Sequence, residues 1–359
     1  MATREGDRSE RVSAVIGAAL AALLFGLSAP AAKVLVAVTD PWLLAGLLYV
    51  GAGVALGATW LGRALVGGGP AREAPLTRGD WPWLAGAILA GGGVGPVLLA
   101  LGLARASAAE AALLLNLETV FTALLAWLVF REHVDRRIAL GLGAITVGAA
   151  VLAWEPGQGP RVTPAAGLVA GACLAWAVDN NLTRKVSTRD PIQIAALKGL
   201  IAGSTNVVIA LGRGAALPPA GTIAAAALVG AVGYGGSLVL YILALRHLGA
   251  ARTAAYFGTA PFVGAVAGVL GLGDPVTLAL GLGALLMGAG VWLHLSEAHG
   301  HSHAHAAVDH AHRHRHDLHH VHLHPAGTPS AEPHSHDHSH DTLVHQHPHA
   351  PDVHHGHRH

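Results

Sequence analysis

Several ionisable side chains of this chain stand inside long apolar runs. Glu118 falls within Ser107–Phe130, Asp179 within Pro164–Leu182 and Lys198 within Pro191–Leu211. A charge at bilayer depth costs roughly 2.5–3.5 kcal/mol on insertion scales, so each must face a partner, water or cargo. A carboxylate at Glu118, with Asn116 beside it and Thr122 one turn along, can hold a proton, a cation or an amine. Lys198 needs an anion, which is Glu118, Asp179 or an anionic substrate. Asp179, followed by Asn180 and Asn181, either lines the same interior or lies at the interface against Arg184 or Lys185. Each of the three also has a plainer reading, a hydrogen bond or ion pair that fastens helices together.

A second group of residues suits metal chemistry. All but three of the 26 His lie from His299 onward. His299, His301, His303 and His305 alternate with other residues, then His310, His312, His314 and His316, then His334, His336, His338 and His340. Neutral imidazole is a good ligand for Zn, Ni or Co. The spacing offers many overlapping sites rather than one structural zinc module. This tail has too few apolar residues for a core, so disorder without metal is expected. No cofactor is required by any other motif. The plainer reading is a low-complexity tail that binds metal without a role in the cell.

The elements that position these groups are membrane helices. The chain has 359 residues, 52% hydrophobic and 12% charged, with one cysteine. That composition excludes a nucleic-acid binder, a disulfide scaffold and an ordinary soluble enzyme. A transmembrane helix needs about 20 mostly apolar residues. Ten such runs follow one another: Val12–Ala32, Pro41–Leu61, Trp81–Ala104, Ser107–Phe130, Ile138–Trp154, Pro164–Leu182, Pro191–Leu211, Thr222–Leu245, Thr253–Gly273 and Pro275–Leu295. Period-two alternation of barrel strands is absent from them, so helices are expected. Arg and Lys concentrate before run one and in alternate loops, for example Arg136 and Arg137, Arg184 and Lys185. The positive-inside rule then puts residues 1–11 and the tail 296–359 in the cytoplasm of a bacterial inner (plasma) membrane.

The runs repeat. At an offset of 142, Gly91, Gly141 and Gly148 match Gly233, Gly283 and Gly290; at 150, Asp40-Pro41 matches Asp190-Pro191. Two five-helix halves, 12–154 and 164–295, follow. Five is odd, so the second half is inverted, which is a recurring transporter plan around a midplane site. Gly91-Gly92-Gly93-Val94-Gly95-Pro96 and Gly233-Tyr234-Gly235-Gly236 stand at equivalent places. Paired interruptions of this kind point to a binding site, with tight packing as the alternative. Tyr234 and Tyr256 could offer hydroxyls or rings to a substrate.

On these residues the chain resembles the drug/metabolite transporter superfamily in its ten-helix EamA-type branch. The resemblance rests on Leu24-Phe25-Gly26, Ala29-Pro30 and Lys33, and on Leu115-Asn116-Leu117-Glu118 followed by Arg131-Glu132. It also rests on Leu174-Ala175-Trp176, Asn180-Asn181-Leu182-Thr183-Arg184-Lys185 and Ala260-Pro261-Phe262. Thr119 stands where family members often have Pro, while Pro261 keeps that Pro in the second half. The resemblance implies a polytopic secondary transporter of small metabolites, often outward. The expected partners are the lipid bilayer and a small-molecule substrate, with divalent metal ions for the tail and no nucleic acid, in a monomer or homodimer. The alternative function is a divalent transition-metal exporter, or a metal-storing membrane protein, that uses the tail.

Overall fold

A computed structural model describes residues 2–66, 76–130, 136–154, 162–186, 189–248, 256–295, 300–305, 308–314, 334–340 and 343–348. Ten helical spans succeed one another as the apolar runs require. Span one is Ala2–Val36, longer at its start than its apolar run, and span two is Pro41–Val66. Span three runs from Trp81 to Leu103, span four from Ala108 to Phe130, span five is Arg136–Leu152 and span six Pro164–Thr183. Span seven is Pro191–Gly212 and span eight runs from Ala220 to Leu248. Span nine is described from Tyr256 and contains Ala260–Leu272; span ten is Leu278–Leu295. Six of these segments are long and apolar enough to cross a membrane on length and composition alone, and spans nine and ten are shorter apolar helices. The membrane part of the protein is all-α, as an integral membrane protein of helical spans.

Local chemistry explains where spans start. Asp40 Oδ1 accepts from the amides of Trp42 and Leu43, and Asp190 Oδ1 from those of Ile192 and Gln193. In each case Pro follows as the first helical residue. These matched Asp-Pro caps open spans two and seven, the same place in the two halves. Ser107 and Thr163 cap spans four and six through their side-chain oxygens.

Packing follows the repeat. Span two packs on seven, four on nine and five on ten; three packs on six as eight packs on one; four packs on six as nine packs on one. Exchanging the halves therefore reproduces these contacts. At the contact of spans five and ten a methyl built on Gly148 would stand 3.0 Å from the Gly283 carbonyl oxygen, and one on Gly290 would stand 2.6 Å from that of Gly141. Backbones this close leave no room for a side chain, which is why the matched glycines of the sequence are glycines.

The radial distribution is that of a membrane protein. Buried positions are dominated by Ala and Gly, whereas Leu270, Leu278 and Leu285 lie exposed at 82, 80 and 72%. Lipid rewards large apolar residues outside, and helix association rewards small ones inside. Trp81, Trp83, Trp154 and Trp292 are exposed, as expected of interfacial rings, whereas Trp176 is buried.

Within the tail, the described segments pair as strands. Gly300–His305 pairs antiparallel with Leu343–Pro348, and Val308–His314 with His334–His340. Alternation of His with other residues has the period of a strand, and ladder pairing satisfies the backbone without needing a core. His299 and His316 lie outside the described residues.

Candidate functional site

The site is built on three interrupted helices. Span three changes to a π-helix over Ile88–Val94, and span eight does the same over Gly230–Gly236, at the equivalent place. Single-turn π segments leave carbonyls without their ordinary helical partners and are frequent at functional positions. In span three those carbonyls are taken by side chains of other helices. The Tyr49 hydroxyl and Trp176 Nε1 each donate to the Gly91 carbonyl at 2.9 Å. Asn206 Nδ2 donates to the carbonyls of Gly92 at 3.1 Å and Gly93 at 3.2 Å. In span eight, Ser237 Oγ donates to the Gly233 carbonyl at 2.5 Å. Pro96 sits in the first turn of the helix that resumes at Gly95.

Span four breaks between Leu114 and Leu117, without a Pro. Asn116 Nδ2 folds back on the Leu113 carbonyl at 2.9 Å and lies 3.9 Å from Met287 Sδ. The Cys173 thiol reaches toward the Leu114 and Leu115 carbonyls at 3.6 and 3.8 Å. Span nine turns at residues 258 and 259, near the matching place, just before Pro261. The break puts Glu118 in the first turn of the helix Leu117–Phe130, where the partial positive charge of a helix N-terminus favours a carboxylate.

The ionisable residues meet around these interruptions. Lys198 Nζ contacts Asp179 Oδ1 at 2.5 Å and Oδ2 at 2.7 Å, with Thr183 Oγ1 bonded to the same carboxylate at 2.8 Å. Of the anions open to Lys198, the structure pairs it with Asp179; Asp179 is therefore buried in the interior rather than placed at an interface with Arg184 or Lys185. Glu118 is half-buried and accepts from Asn180 Nδ2 at 2.8 Å. The same amide lies 3.5 Å from Thr122 Oγ1. Gly91 is packed directly against the Asp179 carboxylate, which a side chain at that position would overlap. Gly233 faces Ser28 Cβ across span one.

A string of rings completes the neighbourhood. Tyr49 lies 5.9 Å from Tyr234, Tyr234 5.8 Å from Phe25, Phe25 5.2 Å from Phe257 and Phe257 5.0 Å from Tyr241. Trp176 Nε1 is 3.3 Å from the Tyr49 hydroxyl. Tyr256 stays outside this group, 37% exposed, and Thr205 bonds its own helix at Ile201. Gly93 and Gly235 make only ordinary contacts. Composition alone does not single out Tyr49, Trp176, Asn206 and Thr183, since each needs a partner carbonyl or carboxylate that no local pattern names. Trp176 carries a signal in retrospect, being a Trp far from either end of its span. Among the described residues, no group of three or more His, Cys, Asp or Glu could hold a metal ion.

The symmetric frame carries an asymmetric charge. Asp179, Asn180 and Lys198 correspond to Ala29, Pro30 and Leu48, and Glu118 to Ala260. The charged residues thus belong to spans four, six and seven, and their counterparts on spans nine, one and two are apolar.

Known proteins agree with this architecture. An uncharacterized transporter of Methanothermobacter thermautotrophicus is 28% identical over 301 residues, covering 80% of this chain and 88% of its own. A protein of known crystal structure, 20% identical, superposes with a TM-score of 0.57 over 78% of this chain and 95% of its own. The model of the EamA-like transporter family matches residues 12–154 and 163–296, one match for each five-span half. The chain is a membrane transporter homologue and belongs to the EamA-like transporter family.

Proposed function

We propose that the protein is a secondary transporter of small organic solutes in the plasma membrane, moving them outward by alternating access of its two halves, with Glu118 carrying the coupling proton or exchanged ion. One observation supports this most: Glu118 and the Asp179–Lys198 pair meet beside matched helix interruptions, where spans of both halves touch. A carboxylate held by a neutral amide can lose or gain a proton without breaking an ion pair. The loop charges support cytoplasmic termini. The test is counterflow and pH-gradient-driven flux in proteoliposomes. Glu118→Gln is expected to abolish gradient-driven flux; undiminished coupling removes Glu118 from the mechanism.

A second reading concerns the tail. In its ladders His310 stands opposite His338, His312 opposite His336 and His314 opposite His334; His301 and His303 stand opposite His347 and His345. The register thus sets His opposite His at five pairs of positions among the described residues. This favours a tail that collects Zn, Ni or Co in the cytoplasm, for storage or for export of the ion. Deleting residues 299–359 should then sensitise cells to added nickel, cobalt or zinc. Equal survival of cells with the truncated and full chains counts against it.

A further inference from the structure

We infer that the cargo site takes an organic cation, an amine or quaternary ammonium with an apolar or aromatic body. The inference rests on the carrier reading above and narrows it to a substrate class.

Charge is the first argument. Lys198 is held by both oxygens of Asp179. The hydrogen-bond partner of Glu118 is the neutral amide of Asn180. The pair cancels itself, and Glu118 leaves the site one negative charge when ionised. An anion entering here would have to take Lys198 from Asp179 and strand a buried carboxylate, which is strongly unfavourable. A cation needs no such exchange.

The walls give the second argument. Phe25, Tyr49, Tyr234, Tyr241 and Phe257 form a continuous string at ring separations of 5.0 to 5.9 Å. Tyr49 joins this string to the charged groups, because its hydroxyl donates to the carbonyl of Gly91, which packs against the Asp179 carboxylate. Two of the donors that an anion would seek are already spent: the Tyr49 hydroxyl and Trp176 Nε1 both donate to the Gly91 carbonyl. Beside them stand ring faces and a carboxylate. Ring faces attract ammonium groups, the more so when water is excluded. Because a proton and an ammonium group would use the same carboxylate, the two compete, which is the requirement for exchange of one against the other.

The experiment uses full-length protein in nanodiscs and three probes of one size: phenethyltrimethylammonium, its uncharged tert-butyl isostere and 4-phenylbutyrate. Titration calorimetry at pH 8 is expected to show the ammonium probe binding about tenfold or more tighter than the other two, and Glu118→Gln losing about tenfold or more of that affinity. Tyr49→Leu should weaken the same probe with little effect on the isostere, and lowering the pH to 5 should weaken it in the wild type. Glu118→Asp, with its melting temperature, guards against misfolding as the cause. Equal or tighter binding of the carboxylate or the isostere overturns the inference, as does a Glu118→Gln protein that folds and binds the ammonium undiminished. Exchange of the probes across proteoliposomes separates the two readings. Ammonium binding without exchange removes the carrier and keeps the cation site; exchange of uncharged or anionic solutes, with no ammonium binding, does the reverse.

Discussion

Separating Asp179 from Lys198 should cost more than either residue is worth together with its partner. The side chains are 8 and 17% exposed, and both carboxylate oxygens contact the ammonium. Replacing one member leaves a buried charge uncompensated, a loss of about 3–5 kcal/mol in water-soluble proteins. Thr183 Oγ1 also bonds Asp179, so Lys198→Met leaves the carboxylate one remaining partner and falls at the lower end, about 3 kcal/mol. Asp179→Leu leaves Lys198 with only Thr183 Oγ1 at 3.4 Å and falls higher in that range. The double variant buries no charge and should lie within about 1–2 kcal/mol of the wild type, a coupling of several kcal/mol. Reversible unfolding of the detergent-solubilised protein in dodecyl sulfate measures all four corners of the cycle. Flux in proteoliposomes then decides the role of the pair. A stable double variant that no longer transports marks a working pair, and one that transports normally marks a fastening. Additivity within about 0.5 kcal/mol would refute the energetic reasoning itself, because contacting charges in a dry site must couple.

Two other outcomes follow from the interruptions. Gly91→Ala drives a methyl group into the Asp179 carboxylate, so it should cost about 1–3 kcal/mol and abolish flux, whereas Gly93→Ala, with nothing nearer than 3.7 Å, should leave both nearly unchanged. Cys173 is the one cysteine of the chain, buried, with its thiol toward the break in span four. It should resist a membrane-permeant maleimide in the folded protein and react after unfolding in dodecyl sulfate; rapid labelling of the native form would show that water reaches the break from span six.

Much of this arrangement is legible along the chain. Ten apolar runs, the Asp-Pro caps at Asp40 and Asp190 and the matched glycines at 91 and 233 are local or periodic signals. Lipid forces the first of these, since a backbone inside a bilayer must bond to itself. Helix-start chemistry forces the second, and close backbone approach the third. The intramembrane positions of Glu118, Asp179 and Lys198 are equally plain, because a charge in an apolar run stands out wherever it occurs.

The partners of those charges could be found only in the folded molecule. Lys198 had three available anions, and the packing of spans six and seven against the π segment of span three selects Asp179. Asn116, two residues before Glu118 in sequence, turns its amide to the Leu113 carbonyl, while Asn180 from another helix reaches the carboxylate. The π segment of span three releases carbonyls that accept from Tyr49, Trp176 and Asn206, donors on three separate spans. Sequence specifies which groups cannot face lipid, because that is a property of each residue and its solvent. It leaves open which of them meet, because a hydrogen bond requires two atoms within about 3 Å and only the packing of whole helices sets that distance.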